Sequence, residues 1–267
     1  MIPKILHYCW FGHGLMPQSQ SDFIHHWQKL MPDWQVIRWD ESNFPVDFCP
    51  YTIEAYRQKK WAFVSDVARL KALYEQGGIY MDTDVELFSS LEPYLDNHLF
   101  SAVELYPDDF EREGRHLVDS NGSPLEPLTD IPYCGFLSAM LGAEPQHPLI
   151  EECLDYYKNR PALKEDGLLN ATVIDGVLAR YAVSHGFRYV DKLQQLPNMT
   201  IYPSSVFSYI GAPDRSNAVS FHHTAWSWMP QKGKKRIFAT LDKLHLLKPY
   251  RQLKHILFHG IRHRSQL

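Results

Sequence analysis

Cysteine is scarce: Cys9, Cys49, Cys134 and Cys153 are the only four in 267 residues. They stand too far apart for a zinc motif and are too few for a disulfide scaffold, which predicts reduced thiols in a cytoplasmic protein. Long apolar runs are missing as well. No stretch approaches the roughly 18 residues that a membrane-spanning helix needs. The first residues run straight into a β-like segment with Lys4 as the one basic flank, so no secretory signal is expected. Internal repeats and low-complexity segments are absent, which excludes repeat architectures. The expected protein is soluble, or peripheral on the inner face of a membrane.

What is present is aromatic and unevenly charged. Phe, Trp and Tyr make up 13% of the chain, with seven tryptophans, enough to supply both core and flat ligand-gripping surfaces. The net charge of −4 conceals a division. From Gln231 onward there are ten Lys and Arg against one acidic residue, Asp242, leaving 17 basic and 30 acidic residues before it. The expected organisation is one main domain over 1–230 and a basic helical extension over 231–267. The extension's Leu and Ile at helical spacing suit either an anionic membrane surface or packing on the domain. The acidic body carries no recognisable nucleic-acid module, so nucleic acid is not expected as a partner.

The pattern is α/β. Ile2 to Trp10 reads as a strand. Ser19 or Ser21 would then cap a helix in which Phe23, Trp27 and Leu30 share a face, closed by Pro32, and Trp34 to Trp39 alternates as a second strand. This order opens a nucleotide-binding, Rossmann-like domain. One helix is expected from about Ile53 to Gln76, with Phe63, Val67, Leu70 and Tyr74 as its apolar stripe and Gly77-Gly78 as its stop. Leu99 to Glu104 reads as a strand and Tyr106 to Pro132 as a long loop over the site or a small insertion. Tyr133 to Leu141 reads as a strand, and Pro148 to Lys158 and Thr172 to His185 as helices. Short strands are expected near Phe187 to Val190 and Thr200 to Tyr202, and Val219 to His222 as a last core strand.

Chemistry concentrates at Gly77-Gly78-Ile79-Tyr80-Met81-Asp82-Thr83-Asp84. In an extended segment, residues two apart face the same way, so Asp82 and Asp84 would converge on one volume and call for a hard divalent cation, Mg²⁺ or Mn²⁺. Alone, Asp-x-Asp is common and usually marks a solvated turn. Asp66 and Arg69 lie three apart on the preceding helix and share a face, which by itself reads as an ion pair, although the helix feeds directly into the strand carrying Asp82.

Four blocks together resemble glycosyltransferase family 32: Ile2-Pro3-Lys4-Ile5-Leu6-His7-Tyr8-Cys9-Trp10, Ser65-Asp66-Val67-Ala68-Arg69, the glycine pair with Asp82-Thr83-Asp84, and His222-His223 with Ser227-Trp228. That family includes bacterial capsule and glycan transferases and the yeast initiating α-1,6-mannosyltransferase. The resemblance covers residues 1 to about 230. It implies a GT-A fold, a divalent metal, a nucleotide-sugar donor (a UDP-sugar), a glycan or lipid-linked glycan acceptor, and retention of anomeric configuration.

The resemblance also implies roles. Asp84 would contact the metal directly, with Asp82 shared between metal, ribose and sugar, and His222 is the candidate third metal ligand. Asp66 and Arg69 would hold the donor, Trp10 would stack on the base or else be a core residue, and Ser227 and Trp228 would donate to the β-phosphate. His223 would either pack or bind acceptor. Asp175 would approach the transferred sugar or simply serve its helix N-terminus. Two positions depart from the family pattern: Cys134 stands where Asn commonly precedes Gly, and Asp175-Gly176 replaces a frequent Gly-Pro. A non-catalytic nucleotide-sugar-binding protein and a toxin-like transferase acting on a protein are the alternatives.

Overall fold

The computed structural model describes residues 1–209, 212 and 214–224. The expected boundary at residue 230, the basic helical tail, and Ser227 and Trp228 lie outside the described residues.

The chain opens as expected with strand β1 (Ile5–Cys9), helix α1 (Gln18–Leu30) and strand β2 (Gln35–Trp39). The cap of α1 differs. Pro17 precedes the helix, and its carbonyl accepts the N–H groups of Gln20 and Ser21, so both expected cap serines lie within the first turn. The single helix expected over 53–76 is two, α2 (Pro50–Arg57) and α3 (Trp61–Gln76). Lys59 takes a left-handed φ of 56°, and the N–H of Lys60 turns back to the Ala55 carbonyl, which closes α2. The sequence carries no sign of the break, because Gln58, Lys59 and Lys60 are all residues that a helix accepts.

Gly77 and Gly78, with φ of 64° and 99°, end α3 and lead into β3 (Gly78–Met81). A Cβ on Gly78 would lie 2.6 Å from the Ile5 carbonyl oxygen, so the turn needs glycine for both its φ and the close approach to β1. His7 on β1 secures the turn. It is fully buried, and its Nδ1 accepts from the Trp39 indole at 3.0 Å. Because indole only donates, the imidazole proton sits on Nε2 and is donated to the Gly77 carbonyl at 2.8 Å. Burial pushes the His7 pKa down to about 4.

After β3 come β4 (Val85–Leu87) and β5 (Leu99–Leu105). The expected loop over 106–132 contains α4 (Pro107–Glu113) and a 3-10 turn, Arg115–Leu117. The strand expected over 133–141 is divided into β6 (Cys134–Phe136) and β7 (Met140–Ala143). Between them the chain turns, the N–H of Met140 donating to Leu137 and that of Leu137 to Ala102. Helix α5 (Pro148–Asn159) buries Leu149, Cys153, Leu154 and Tyr157 as anticipated, and α6 (Ile174–Ala182) ends in a 3-10 turn, Val183–His185. The segment 187–190 is not a strand; β8 (Gln194–Leu196), β9 (Met199–Tyr202), β10 (Phe207–Tyr209) and β11 (Ser220–His222) follow.

The main sheet runs β2-β1-β3-β7-β5-β9-β8, with β6 on β5. Its β2-β1-β3 part is parallel, β7 is antiparallel to both β3 and β5, and β9 is parallel to β5. Strands β10, β11 and β4 form a second, three-stranded sheet, so Val219–His222 is not part of the central sheet. The period of two along β3 divides its side chains between two cores. Tyr80 joins α2, α3, α5 and α6, whereas Ile79 and Met81 join α1 and the small sheet through Trp27, Phe207 and Tyr209. This is the expected α/β architecture, with the parallel half leading directly to Asp82.

Among the described residues no helix is long and apolar enough to cross a membrane. The four cysteines are buried and unpaired.

Candidate active site

Helix α3 positions the first two groups. It lies among α2, α5 and the sheet, so it is buried around most of its girth and carries Asp66 and Arg69 inside. Arg69, its side chain only 6% exposed, reaches Asp66 Oδ1 at 3.0 Å and Asp82 Oδ1 at 3.4 Å through Nη2. Its Nη1 donates to the Ser138 carbonyl at 2.9 Å, and its guanidinium lies 4.4 Å from the centre of the Tyr80 ring. A plain surface ion pair is therefore excluded. Burial pushes Asp66 up to about 7 despite Arg69, with Asp175 and Asp82 adding to the rise. The neighbouring anionic groups hold Arg69 firmly protonated against its own desolvation.

Asp82 follows the last residue of β3. The expected extended geometry of Asp82-Thr83-Asp84 is not found: the segment is a tight turn, in which the N–H of Val85 donates to the Asp82 carbonyl. The N–H of Asp82 is held by the Ala139 carbonyl in the β6–β7 turn, and its Oδ1 accepts the Tyr80 hydroxyl at 2.8 Å. The two carboxylates still converge, because β11 pairs with β4 and sets His222 opposite Val85. His222 Nε2 lies 3.3 Å from Asp84 Oδ1 and 3.9 Å from Asp82 Oδ2. One ligand atom from each of the three falls within 4.8 Å of the others. Burial alone would lower the His222 pKa, but Asp84, Asp82 and Glu104 outweigh it and raise it to about 9.

Two carboxylates and an imidazole form an oxygen-rich donor set suited to Mn²⁺ or Mg²⁺, and a cation among them relieves their mutual repulsion. His222 Nδ1 is buried and has no hydrogen-bond partner among the described residues. His223, by contrast, packs. Its Nε2 meets Glu86 at 2.9 Å and its ring stacks on Phe23, with centroids 5.1 Å apart.

Asp175, in the first turn of α6, accepts the Ser138 N–H at 3.0 Å through Oδ1. Ser138 thus joins Asp175 to Arg69 through its two backbone groups. Asp130, from the segment expected to cover the site, bonds Arg180 at 3.0 Å and leaves 3.2 Å above the place a Cβ on Gly176 would occupy.

Trp10 follows β1 and is only partly buried, its indole N–H donating to the Gly14 carbonyl at 2.7 Å. It is not a core residue. The loop it opens is fixed by Glu41, which accepts the Gly12 N–H at 2.7 Å and the Tyr56 hydroxyl at 3.2 Å. It is also fixed by Trp61, whose ring occupies the space that a Gly12 Cβ would need.

Sequence reasoning brought together Asp66, Arg69, Asp82, Asp84, Asp175 and His222. It missed Tyr80, Ser138 and Glu104. Tyr80 was legible, being two residues before Asp82. Ser138 acts through its backbone and left no signal.

Residues 17–101 match the family described as "Glycosyltransferase sugar-binding region containing DXD motif". An uncharacterised glycosyltransferase of Acanthamoeba polyphaga mimivirus is 22% identical over 249 residues, 89% of this chain and 88% of the relative. Inositol phosphoceramide mannosyltransferase 3 of Schizosaccharomyces pombe is 33% identical over 110 residues, which are 35% of this chain and 27% of that enzyme. Among solved structures, the galactosyltransferase LgtC in complex with donor and acceptor sugar analogues aligns at TM-score 0.46 and 13% identity, over 89% of this chain and 94% of its own. With α3 and the Asp82–Asp84 turn both inside the matched segment, the chain is a glycosyltransferase whose residues 17–101 are similar to the DXD-containing family.

Proposed function

We propose that the protein is a metal-dependent, retaining glycosyltransferase. It moves a hexose or N-acetylhexosamine from a nucleotide sugar, a UDP-sugar, to a glycan or lipid-linked glycan acceptor in surface polysaccharide synthesis. The observation that carries the reading is the meeting of Asp82, Asp84 and His222 at the end of β3, directly beside the buried Arg69. Ligands of open α/β sheets bind at the carboxyl ends of the strands, where this cluster stands.

Asp84, His222 and Asp82 would hold Mn²⁺ or Mg²⁺, which when bound offsets the charge of a departing diphosphate. The chain's own residues do the rest. Arg69 fixes the orientation of Asp82 and Asp66, whose carboxyl groups accept sugar or ribose hydroxyls. Tyr80 holds Asp82 from the other side, and Asp175, tied to Ser138, bounds the space for the transferred hexose. Trp10 stands at the end of β1, where a base can stack on its exposed face. No residue of the site is assigned as a covalent nucleophile; the retaining outcome is favoured by the family resemblance, with the departing phosphate deprotonating the acceptor hydroxyl.

The test is release of nucleoside diphosphate from a panel of UDP-hexoses, UDP-N-acetylhexosamines and GDP-mannose, the last because fission-yeast relatives are named mannosyltransferases. Release in Mn²⁺ that stops on chelation and falls at least about 100-fold in Asp84→Ala is expected. Binding without release across the panel would leave a non-catalytic binding protein. The basic tail is proposed to hold the enzyme on the cytoplasmic face of an anionic membrane. Equal vesicle co-sedimentation of the full chain and a chain ending at residue 230 would dismiss that role.

A further inference from the structure

Glu104 is the one acidic residue of β5, on a strand whose preceding residues, Leu99 to Val103, are all buried. It lies toward the strand's carboxyl end, the side from which Asp82 leaves β3. Its register is informative. Glu104 pairs with Gly135 of the antiparallel β6, and directly opposed residues present their side chains on one face. Gly135 has no side chain to present. A Cβ there would lie 3.3 Å from the Asp175 backbone oxygen, so glycine admits the start of α6 to the face that carries Glu104.

The carboxyl group is held but not consumed. The Tyr106 hydroxyl donates to Oε1 at 3.0 Å, and among the described residues Oε2 has no hydrogen-bond partner. The charged surroundings are unfavourable for an acid that only supports the fold. Enclosure by protein and the nearby Asp175 push Glu104 up to about 8, with Asp82 adding to the rise and His222 and Tyr106 opposing it. An apolar residue could fill the same place on β5 without that cost. A carboxyl group with one oxygen anchored and the other available suits a ligand hydroxyl, which can donate to it or accept from it.

We propose that Glu104 is a sugar-recognition residue of this glycosyltransferase, its free carboxyl oxygen hydrogen-bonding a hydroxyl of the hexose held between β5 and the N-terminus of α6. The inference rests on the donor site lying at Asp82 and Asp84. It adds a fourth side of the sugar pocket, facing Asp175 and remote in sequence from the Asp-x-Asp turn. A hexose hydroxyl there belongs either to the donor or to the acceptor, and the two are separable by experiment.

Glu104→Gln and Glu104→Ala are compared with the wild type in the full chain, using the nucleotide sugar that the wild type turns over. Calorimetry with UDP or GDP and Mn²⁺ is expected to give unchanged nucleotide affinity in both variants. Hydrolysis of the nucleotide sugar without acceptor is expected to fall in kcat/KM by about 10–100-fold, more in the alanine than the glutamine variant. A loss confined to transfer onto a methyl glycoside acceptor, with hydrolysis intact, places the hydroxyl on the acceptor and also supports sugar recognition. Unchanged hydrolysis and transfer overturn the inference, as does an equal loss of nucleotide affinity and turnover in both variants, the mark of a structural role. A wild type that releases no nucleotide from any donor instead removes the functional reading, and this inference with it.

Discussion

Lowering the pH from 7 to 5 should weaken the fold through His7, by an amount that follows from its surroundings. The neutral imidazole accepts from Trp39 and donates to Gly77, so a second proton has no place without breaking the Trp39 bond. In the unfolded chain the group titrates near 6.5, and in the folded chain burial lowers it to about 4. The unfolded state therefore binds more protons between these values. The stabilising contribution is complete above pH 6.5 and is lost as the pH falls toward 4. At pH 5 the loss is about 2 kcal/mol, approaching about 3 kcal/mol near pH 4.

Other groups titrate in the same window with opposite sign. Asp66 and Glu104, raised to about 7 and about 8, stabilise below the carboxylate range and lose that contribution as the pH rises through those values. His222, raised to about 9, contributes below pH 6.5 and loses its contribution above. His147, lowered by burial, acts in the same direction as His7. The raw pH profile is consequently a sum, and the informative quantity is the difference between wild type and the non-titrating His7→Gln variant. Urea unfolding followed by tryptophan fluorescence at pH 7, 6 and 5 supplies it. The wild-type advantage should shrink by about 2 kcal/mol across that range. A difference that stays flat would show that His7 does not exclude its second proton, and the account of the α3–β3 turn would fail with it.

Arg69→Lys should lower kcat/KM by at least about 10-fold and destabilise the fold by about 3 kcal/mol, because one ammonium cannot serve Asp66, Asp82 and the Ser138 carbonyl together; wild-type kinetics in that variant would refute the assignment. Trp10→Ala should weaken nucleotide binding by calorimetry while leaving Mn²⁺ affinity unchanged, and unaltered nucleotide affinity would remove the stacking role. Gly78→Ala should lower the melting temperature by several degrees, about 2 kcal/mol, through its left-handed φ and the contact with Ile5. A melting temperature equal to that of the wild type would show that the turn relaxes freely.

The parts of the fold that the sequence announced are those where local chemistry and packing agree. Gly77-Gly78 demanded a left-handed exit from α3, and α5 repeats its apolar residues at the period it buries. The break at Lys59 was hidden because Gln58, Lys59 and Lys60 are all ordinary helix formers, and nothing in them forbids a helix except the left-handed φ of Lys59 itself. The division of 133–141 into β6 and β7 was hidden for another reason: its apolar residues serve two cores, and the turn at Leu137 to Ala139 carries only Ser138, with no glycine, proline or charged residue to mark it. In the site, Asp82 and Asp84 were legible as a pair, but the reason they converge is a tight turn and a cross-strand histidine, neither visible in the spacing. Glu104 was passed over as the end of an apolar strand, since only the register with Gly135 reveals its position.

The pairing of β11 with β4 has a consequence for how the molecule is made. Val85 and His222 are cross-strand neighbours, yet the ribosome delivers them far apart in time. At synthesis rates of about 5–20 residues per second, the Asp82–Asp84 turn waits roughly 7 to 28 seconds for its imidazole. Throughout that interval the emerging chain can fold the parallel strands around β1, but the two carboxylates wait without the His222 imidazole. The three-sided cluster cannot form before β11 is made, so the ability to engage a divalent ion with all three side chains marks the arrival of that strand.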